Sequence, residues 1–230
     1  MKRRFLIFAC LVALCSAAWK PAVAGEVLDR IVATVNGHII LESDWEDAVR
    51  YEAFIAGRQP DEMTHGERKA ALDRLIDQEL LREQMHASDF QQATKEEIAR
   101  RMAYVRKQYA GGSSSQRWQS LLARYKLSEQ ELRERIALQL NLMRLVDARL
   151  RPNVKIDGKS IESYYNQELL PQLQQTGAKT VALAEVSGKI KELLTEQKVN
   201  QLLVAWLHDL RAGSDIHTSS DSANSAGETP

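Results

Sequence analysis

The chain has 230 residues, 44% of them hydrophobic and 27% charged, with 31 basic and 31 acidic side chains. This is a globular composition, and it excludes a disordered or fibrous chain and a strongly basic nucleic-acid binder. Eleven Gly and five Pro are few for this length, which argues against a turn-rich all-β fold.

Residues 1–24 read as a secretory signal. Met1-Lys2-Arg3-Arg4 is a basic start, Phe5 to Ala18 is a run of 14 apolar and small residues, and Ala22-Val23-Ala24 is a small-x-small cleavage pattern. The run is shorter than the about 20 residues a membrane-spanning helix needs. Cleavage after Ala24 is expected, with Ser16-Ala17-Ala18 as a second possible site and an uncleaved anchor helix as the alternative. Export would deliver the protein to the periplasm. It removes Lys2, Arg3, Arg4 and Lys20 and no acid, leaving 27 basic against 31 acidic residues. It also removes Cys10 and Cys15, the only cysteines. The exported chain then has no disulfide, no thiol nucleophile and no Cys-based zinc site, and must fold on core packing alone.

Residues 30–41 predict a β-hairpin. Arg30-Ile31-Val32-Ala33-Thr34-Val35 is rich in β-branched residues, Asn36-Gly37 is the favoured two-residue turn, and His38-Ile39-Ile40-Leu41 returns. The expected register pairs Val35 with His38, Thr34 with Ile39, Ala33 with Ile40 and Val32 with Leu41. A lone hairpin is marginal in water, so it must pack on helices or gain a strand.

The chain then turns helical. Ser43…Glu46, Thr64…Glu67, Thr94…Glu97 and Ser128…Glu131 each match a capping box, and each opens a segment of helical periodicity. Helices are predicted over about 44–56, 66–87, 95–109, a short stretch around Trp118, 129–150, 161–173 and 184–212. The glycine-serine stretch 111–115 breaks the third, and Pro171 disturbs the sixth. The 129–150 segment carries two apolar stripes: Leu132, Ile136, Leu140, Met143 and Val146 on one side, Leu138, Leu142 and Leu145 on another. A helix apolar on two sides usually sits centrally in a bundle. In the last helix Val186, Ile190, Leu193, Val199, Leu203, Trp206 and Leu210 are expected inward. Residues 214–218 suit a short strand, and 219–230 are small and polar.

Two distant pieces resemble the SurA-like family of periplasmic chaperones associated with parvulin domains. One is the hairpin and helix start of Arg30–Glu46 (RIVATVNGHIILESDWE). The other is Glu185–Arg211 (EVSGKIKELLTEQKVNQLLVAWLHDLR) with the following Asp215-Ile216-His217. Ile161–Asn166 resembles the short helix that precedes a parvulin domain in these relatives. Only residues 167–180 then separate it from the last helix, whereas a prolyl isomerase domain needs roughly 90 residues. The resemblance thus implies the chaperone module without its isomerase.

The expected architecture is mainly α, a helical domain with a small sheet made by the N-terminal hairpin and a C-terminal strand. Its parts are a signal peptide at 1–24, a SurA N-terminal-like domain at 25–157, a linker helix and connection at 158–180, a closing helix and strand at 181–218, and a tail at 219–230.

No enzymatic motif emerges. The five histidines, His38, His65, His86, His208 and His217, do not pair at spacings of three or four, and H-E-x-x-H, G-x-S-x-G, P-loop and G-x-G-x-x-G patterns are lacking. No metal, cofactor or catalytic residue is expected. Tyr51, Phe54, Tyr104, Tyr109, Trp118 and Tyr125 cluster around the middle helices. They read either as core or as a cleft that grips unfolded polypeptide. The expected function is ATP-independent holding of unfolded secreted or outer-membrane polypeptides. The alternatives are a degenerate prolyl isomerase and a non-enzymatic adaptor of an envelope complex.

Overall fold

The computed structural model describes residues 29–109 and 114–219. The expected signal segment, most of the glycine-serine stretch and all of the tail beyond residue 219 lie outside the described residues. Strands β1 (Ile31–Val35) and β2 (His38–Leu41) form the predicted hairpin. Asn36 and Gly37 take φ of 49° and 85°, the left-handed conformations a two-residue hairpin turn requires. The register matches expectation from Val35↔His38 to Ala33↔Ile40. Beyond that the ladder shifts, and Leu41 lies opposite Ile31 instead of Val32. Val32 is the extra residue of a bulge, which lets both Val32 and Ala33 be buried. Strand β3 (Ile216–Thr218) pairs antiparallel with β1, giving the order β2-β1-β3, so the N-terminal hairpin and the C-terminal strand share one sheet as expected.

Helix α1 (Glu42–Ala56) starts two residues earlier than predicted. The Ser43…Glu46 box does not form. Asp44 Oδ2 instead accepts from the Leu41 backbone N–H at 2.9 Å, and Glu46 is taken by Arg68. The strand runs straight into the helix, so the cap moves to the strand's last residue. Gly57, at φ 67°, closes α1 in the left-handed region. The other three boxes form as read: Thr64–Glu67 opens α2 (His65–His86), Thr94–Glu97 opens α3 (Lys95–Gln108) and Ser128–Glu131 opens α5 (Glu129–Leu150). Helix α4 (Ser115–Arg124) lies between the last two. Helix α6 (Gly158–Tyr164) widens into a π-turn at Tyr165–Leu169 before α7 (Leu170–Gln175). Pro171 has no N–H to give the carbonyl four residues back, and the wider turn is the local response. Helix α8 (Leu183–Ala212) runs back to the sheet.

Burial falls into two clusters. The sheet packs Val32, Ala33, Val35 and Ile40 on Ile76 and Leu80 of α2. The helical cluster gathers Val49, Ala53 and Phe54 of α1 with Met102, Trp118, Leu122, Tyr125, Leu132 and Ile136. Trp45 touches both, donates its Nε1–H to the Arg68 carbonyl at 2.7 Å and carries the Arg68 guanidinium over its ring. Among the described residues no helix is long and apolar enough to cross a membrane.

Candidate functional site

A groove of about 820 Å³ opens between α1, α2, α3, α5 and α8. Its walls are apolar where the helices face one another: Ile55 on α1, Leu75 on α2, Val105 on α3, Leu138, Leu142, Met143 and Val146 on α5, and Val199 and Leu203 on α8. Both apolar stripes of α5 contribute to it, Leu138 and Leu142 from one and Met143 and Val146 from the other. Leu132, Ile136 and Leu145 are buried, while the residues beside them face open space. Ile55 and Met143 remain 52% and 58% exposed, large apolar side chains kept in contact with water.

The charges around the groove differ in how far they are satisfied. Arg74 forks onto Glu52, with Nε 2.7 Å from Oε1 and Nη2 on Oε2. Arg151 binds Asp147 at 3.0 Å, Glu192 at 3.2 Å and Glu196, holding its own pKa above and that of Glu196 below their ordinary values. These pairs tie α1 to α2 and α5 to α8. Arg135 lies 5.3 Å from the centroid of the Tyr51 ring, and Arg101 lies 5.2 Å from that of Tyr104.

The six aromatic residues singled out from sequence divide. Phe54, Trp118 and Tyr125 are buried in the helical core, with Phe54 edge-on to Tyr125 at 5.4 Å and to Trp118 at 6.1 Å. Tyr109 stacks on Phe54 at 4.6 Å and donates its hydroxyl to the Phe54 carbonyl at 2.8 Å, and burial pushes its pKa up to about 12. Tyr51 is half-buried and lines the groove, and Tyr104 is 54% exposed on α3. The structure thus brings four of the six into one packed cluster, with Tyr51 packed at its edge under Arg135 and Tyr104 exposed beside Arg101. The aliphatic lining of the groove was missed, although the double stripe of α5 was its visible trace.

A second, polar cavity of about 380 Å³ lies by the hairpin, lined by His38, Asp44, Asp47, Glu79, Arg82, Glu131 and Arg135 among others. Its buried carboxylate, Glu79, accepts from Arg82 Nη1 at 2.9 Å, with His38 Nδ1 3.6 Å away. Among the described residues no group of His, Cys, Asp and Glu is arranged to hold a metal ion.

No curated protein matches this sequence. The sequence pattern of the SurA-like N-terminal domain matches residues 4–146, well over half of the chain. Its hairpin, its capped helices as far as the central α5, and the walls those helices give the groove all fall within that match, and the chain belongs to the SurA-like N-terminal domain family.

Proposed function

We propose that the protein is an ATP-independent periplasmic chaperone that holds unfolded secreted or outer-membrane polypeptides in the groove between α1, α2, α3, α5 and α8. The observation that carries this reading is an apolar groove of about 820 Å³, with Ile55 and Met143 held open to solvent, in a chain of the SurA-like family. Aliphatic walls bind side chains by area and not by shape, which suits a partner of variable sequence. Ordering a disordered client costs free energy, so modest affinity and fast exchange follow. The basic start, the apolar run and Ala22-Val23-Ala24 support export. The reading invokes no nucleotide or metal.

Light scattering of an unfolded outer-membrane protein diluted from urea tests it. The exported protein is expected to suppress aggregation at stoichiometric ratios. Ile55→Asp and Met143→Asp, at exposed positions, are expected to weaken that suppression with unfolding midpoints little changed. Undiminished aggregation with the wild-type protein would sink the reading.

The adaptor reading has one observation of its own. Val204, 70% exposed, and Leu193, 41% exposed, stand on α8 outside the groove. Recovery of one folded envelope protein in fixed ratio, without holding activity, would favour it.

A further inference from the structure

One corner of the groove carries charge that the rest does not. Arg135 of α5 and Arg101 of α3 both line it, as does Tyr51 of α1. Their polar contacts among the described residues stop at ring faces: Arg135 over Tyr51 and Arg101 over Tyr104. Neither guanidinium forms an ion pair or hydrogen bond there, and the Tyr51 hydroxyl has no hydrogen-bond partner. Both guanidinium groups lie within electrostatic reach of Tyr51. Burial raises the pKa of Tyr51, and the charges of Arg135 and Arg101 pull it back.

The acids nearest this corner are already engaged. Glu131 Oε2 accepts from the Ser128 backbone N–H at 2.6 Å, and Asp44 Oδ2 from that of Leu41 at 2.9 Å. Elsewhere on the groove the guanidinium groups are neutralised, Arg74 by Glu52 and Arg151 by Asp147, Glu192 and Glu196. Glu131 and Asp44 still act on Arg135 through space, but neither guanidinium has a direct ion pair; Arg135 is partly withdrawn from water beside the aliphatic lining, and Arg101 is exposed.

Two forked guanidinium groups and a hydroxyl are five-donor, five-donor and one-donor groups that match a planar carboxylate. We propose that the Tyr51–Arg101–Arg135 corner binds the side-chain carboxylate of an Asp or Glu in an extended client segment whose neighbouring apolar residues lie against Ile55, Leu142 and Met143. This rests on the holding function proposed above and names the kind of segment that is held. A side-chain carboxylate is chosen over a chain terminus because an unfolded chain offers the former repeatedly and the latter once.

Short labelled peptides, the first two blocked at both ends, test it by fluorescence anisotropy with the purified protein from residue 25 onward. One peptide carries Glu between apolar residues, and a second carries Gln in its place. A third keeps the Gln and has a free C-terminal carboxylate. The Glu peptide is expected to bind about tenfold more tightly than the Gln peptide, the scale of a charge-assisted hydrogen bond. Arg135→Gln is expected to collapse that ratio, and so is Arg101→Gln, whose exposed position keeps the test valid should Arg135→Gln fail to fold. Equal affinities for the Glu and Gln peptides overturn the inference and leave the holding function standing. A preference shown only by the free C-terminal carboxylate overturns the side-chain assignment. If the wild-type protein binds none of the peptides, the holding function falls and takes this inference with it.

Discussion

Asn36 and Asp215 exchange two hydrogen bonds across almost the whole chain: the Asn36 N–H donates to the Asp215 carbonyl and the Asp215 N–H to Asn36 Oδ1, both at 2.8 Å. Asn36 Nδ2 also reaches Glu83 at 2.8 Å and Ser214 at 3.3 Å. One turn residue thus fixes the hairpin, α2 and the returning C-terminus together. Asn36→Gly keeps the positive φ and removes the side-chain bonds. It is expected to cost about 1–3 kcal/mol in urea unfolding, with faster proteolysis after Gly213.

The closing elements hold each other by more than this turn. Arg211 donates from Nε to Asp77 Oδ1 at 2.6 Å and from Nη2 to the Asp73 carbonyl at 2.8 Å, and β3 covers the free edge of β1. Truncation before Glu185 is expected to unfold or aggregate the remainder. Truncation after Thr218 is expected to leave the unfolding midpoint unchanged. A cooperatively folded 25–180 fragment would contradict this dependence. Trp206 is half-buried under the Arg149 guanidinium, 4.7 Å from its ring centroid, so Trp206→Ala should cost about 1–2 kcal/mol, less than a fully buried Trp would.

Core and groove separate by substitution. Phe54→Ala removes a fully buried ring that three other aromatic residues touch, and is expected to cost about 3–5 kcal/mol. Tyr109→Phe removes only the bond to the Phe54 carbonyl and should cost about 1 kcal/mol. Tyr104→Ala, at an exposed position, should change stability by no more than about 0.5 kcal/mol. Measured together, unfolding midpoint and aggregation suppression should fall in parallel for Phe54→Ala, whereas Tyr104→Ala should alter suppression alone if its ring meets clients.

The elements that announced themselves in the sequence did so through local chemistry. Asn36-Gly37 dictates its turn, and three Ser/Thr…Glu boxes mark helix starts because the partners are three residues apart. The fourth, Ser43…Glu46, was overridden by tertiary competition: Arg68, on another helix, takes Glu46, while Asp44 caps from a strand end. Leu193 fits an inward stripe by spacing and stands exposed, because α8 is apolar around much of its circumference and packing alone selects the buried side. The groove was hidden for the same reason. Periodicity shows that α5 has two apolar sides, but the neighbouring helices decide which side chains of each side meet a core and which line the groove.

The capping carboxylates make stability depend on acid. Backbone hydrogen bonds at Thr64, together with Arg58 and the Thr64 hydroxyl, hold Glu67 down to about 2 from an ordinary 4.5. The Thr94 and Ser128 backbones likewise lower Glu97 and Glu131. A carboxyl whose folded pKa lies below its unfolded value stabilises the fold above the unfolded pKa, and the contribution is lost as pH falls through the folded pKa. The melting temperature is therefore expected to fall as pH drops from about 4.5 towards 2. Glu67→Gln retains a hydrogen-bonding side chain but cannot ionise, and should flatten part of that slope in a thermal-melt pH series. An unchanged slope would show that Glu67 is not among the carboxylates responsible.

The last expectation concerns the place where relatives insert an isomerase domain. Here α6, the π-turn at Tyr165–Leu169 and α7 fill residues 158–175. The Tyr165 hydroxyl donates to the Val181 carbonyl at 2.7 Å, stitching the helix to the chain just ahead of α8. That bond closes the connection over a span of 16 residues, far fewer than the roughly 90 of an isomerase domain. Uncatalysed cis–trans exchange at an X-Pro bond takes tens to hundreds of seconds, so even weak catalysis is easily detected against it. A proline peptide monitored after a solvent jump is expected to relax at the same rate with and without the purified protein. Acceleration that scales with protein concentration would instead support the isomerase reading and locate its catalytic groups outside any parvulin-like segment.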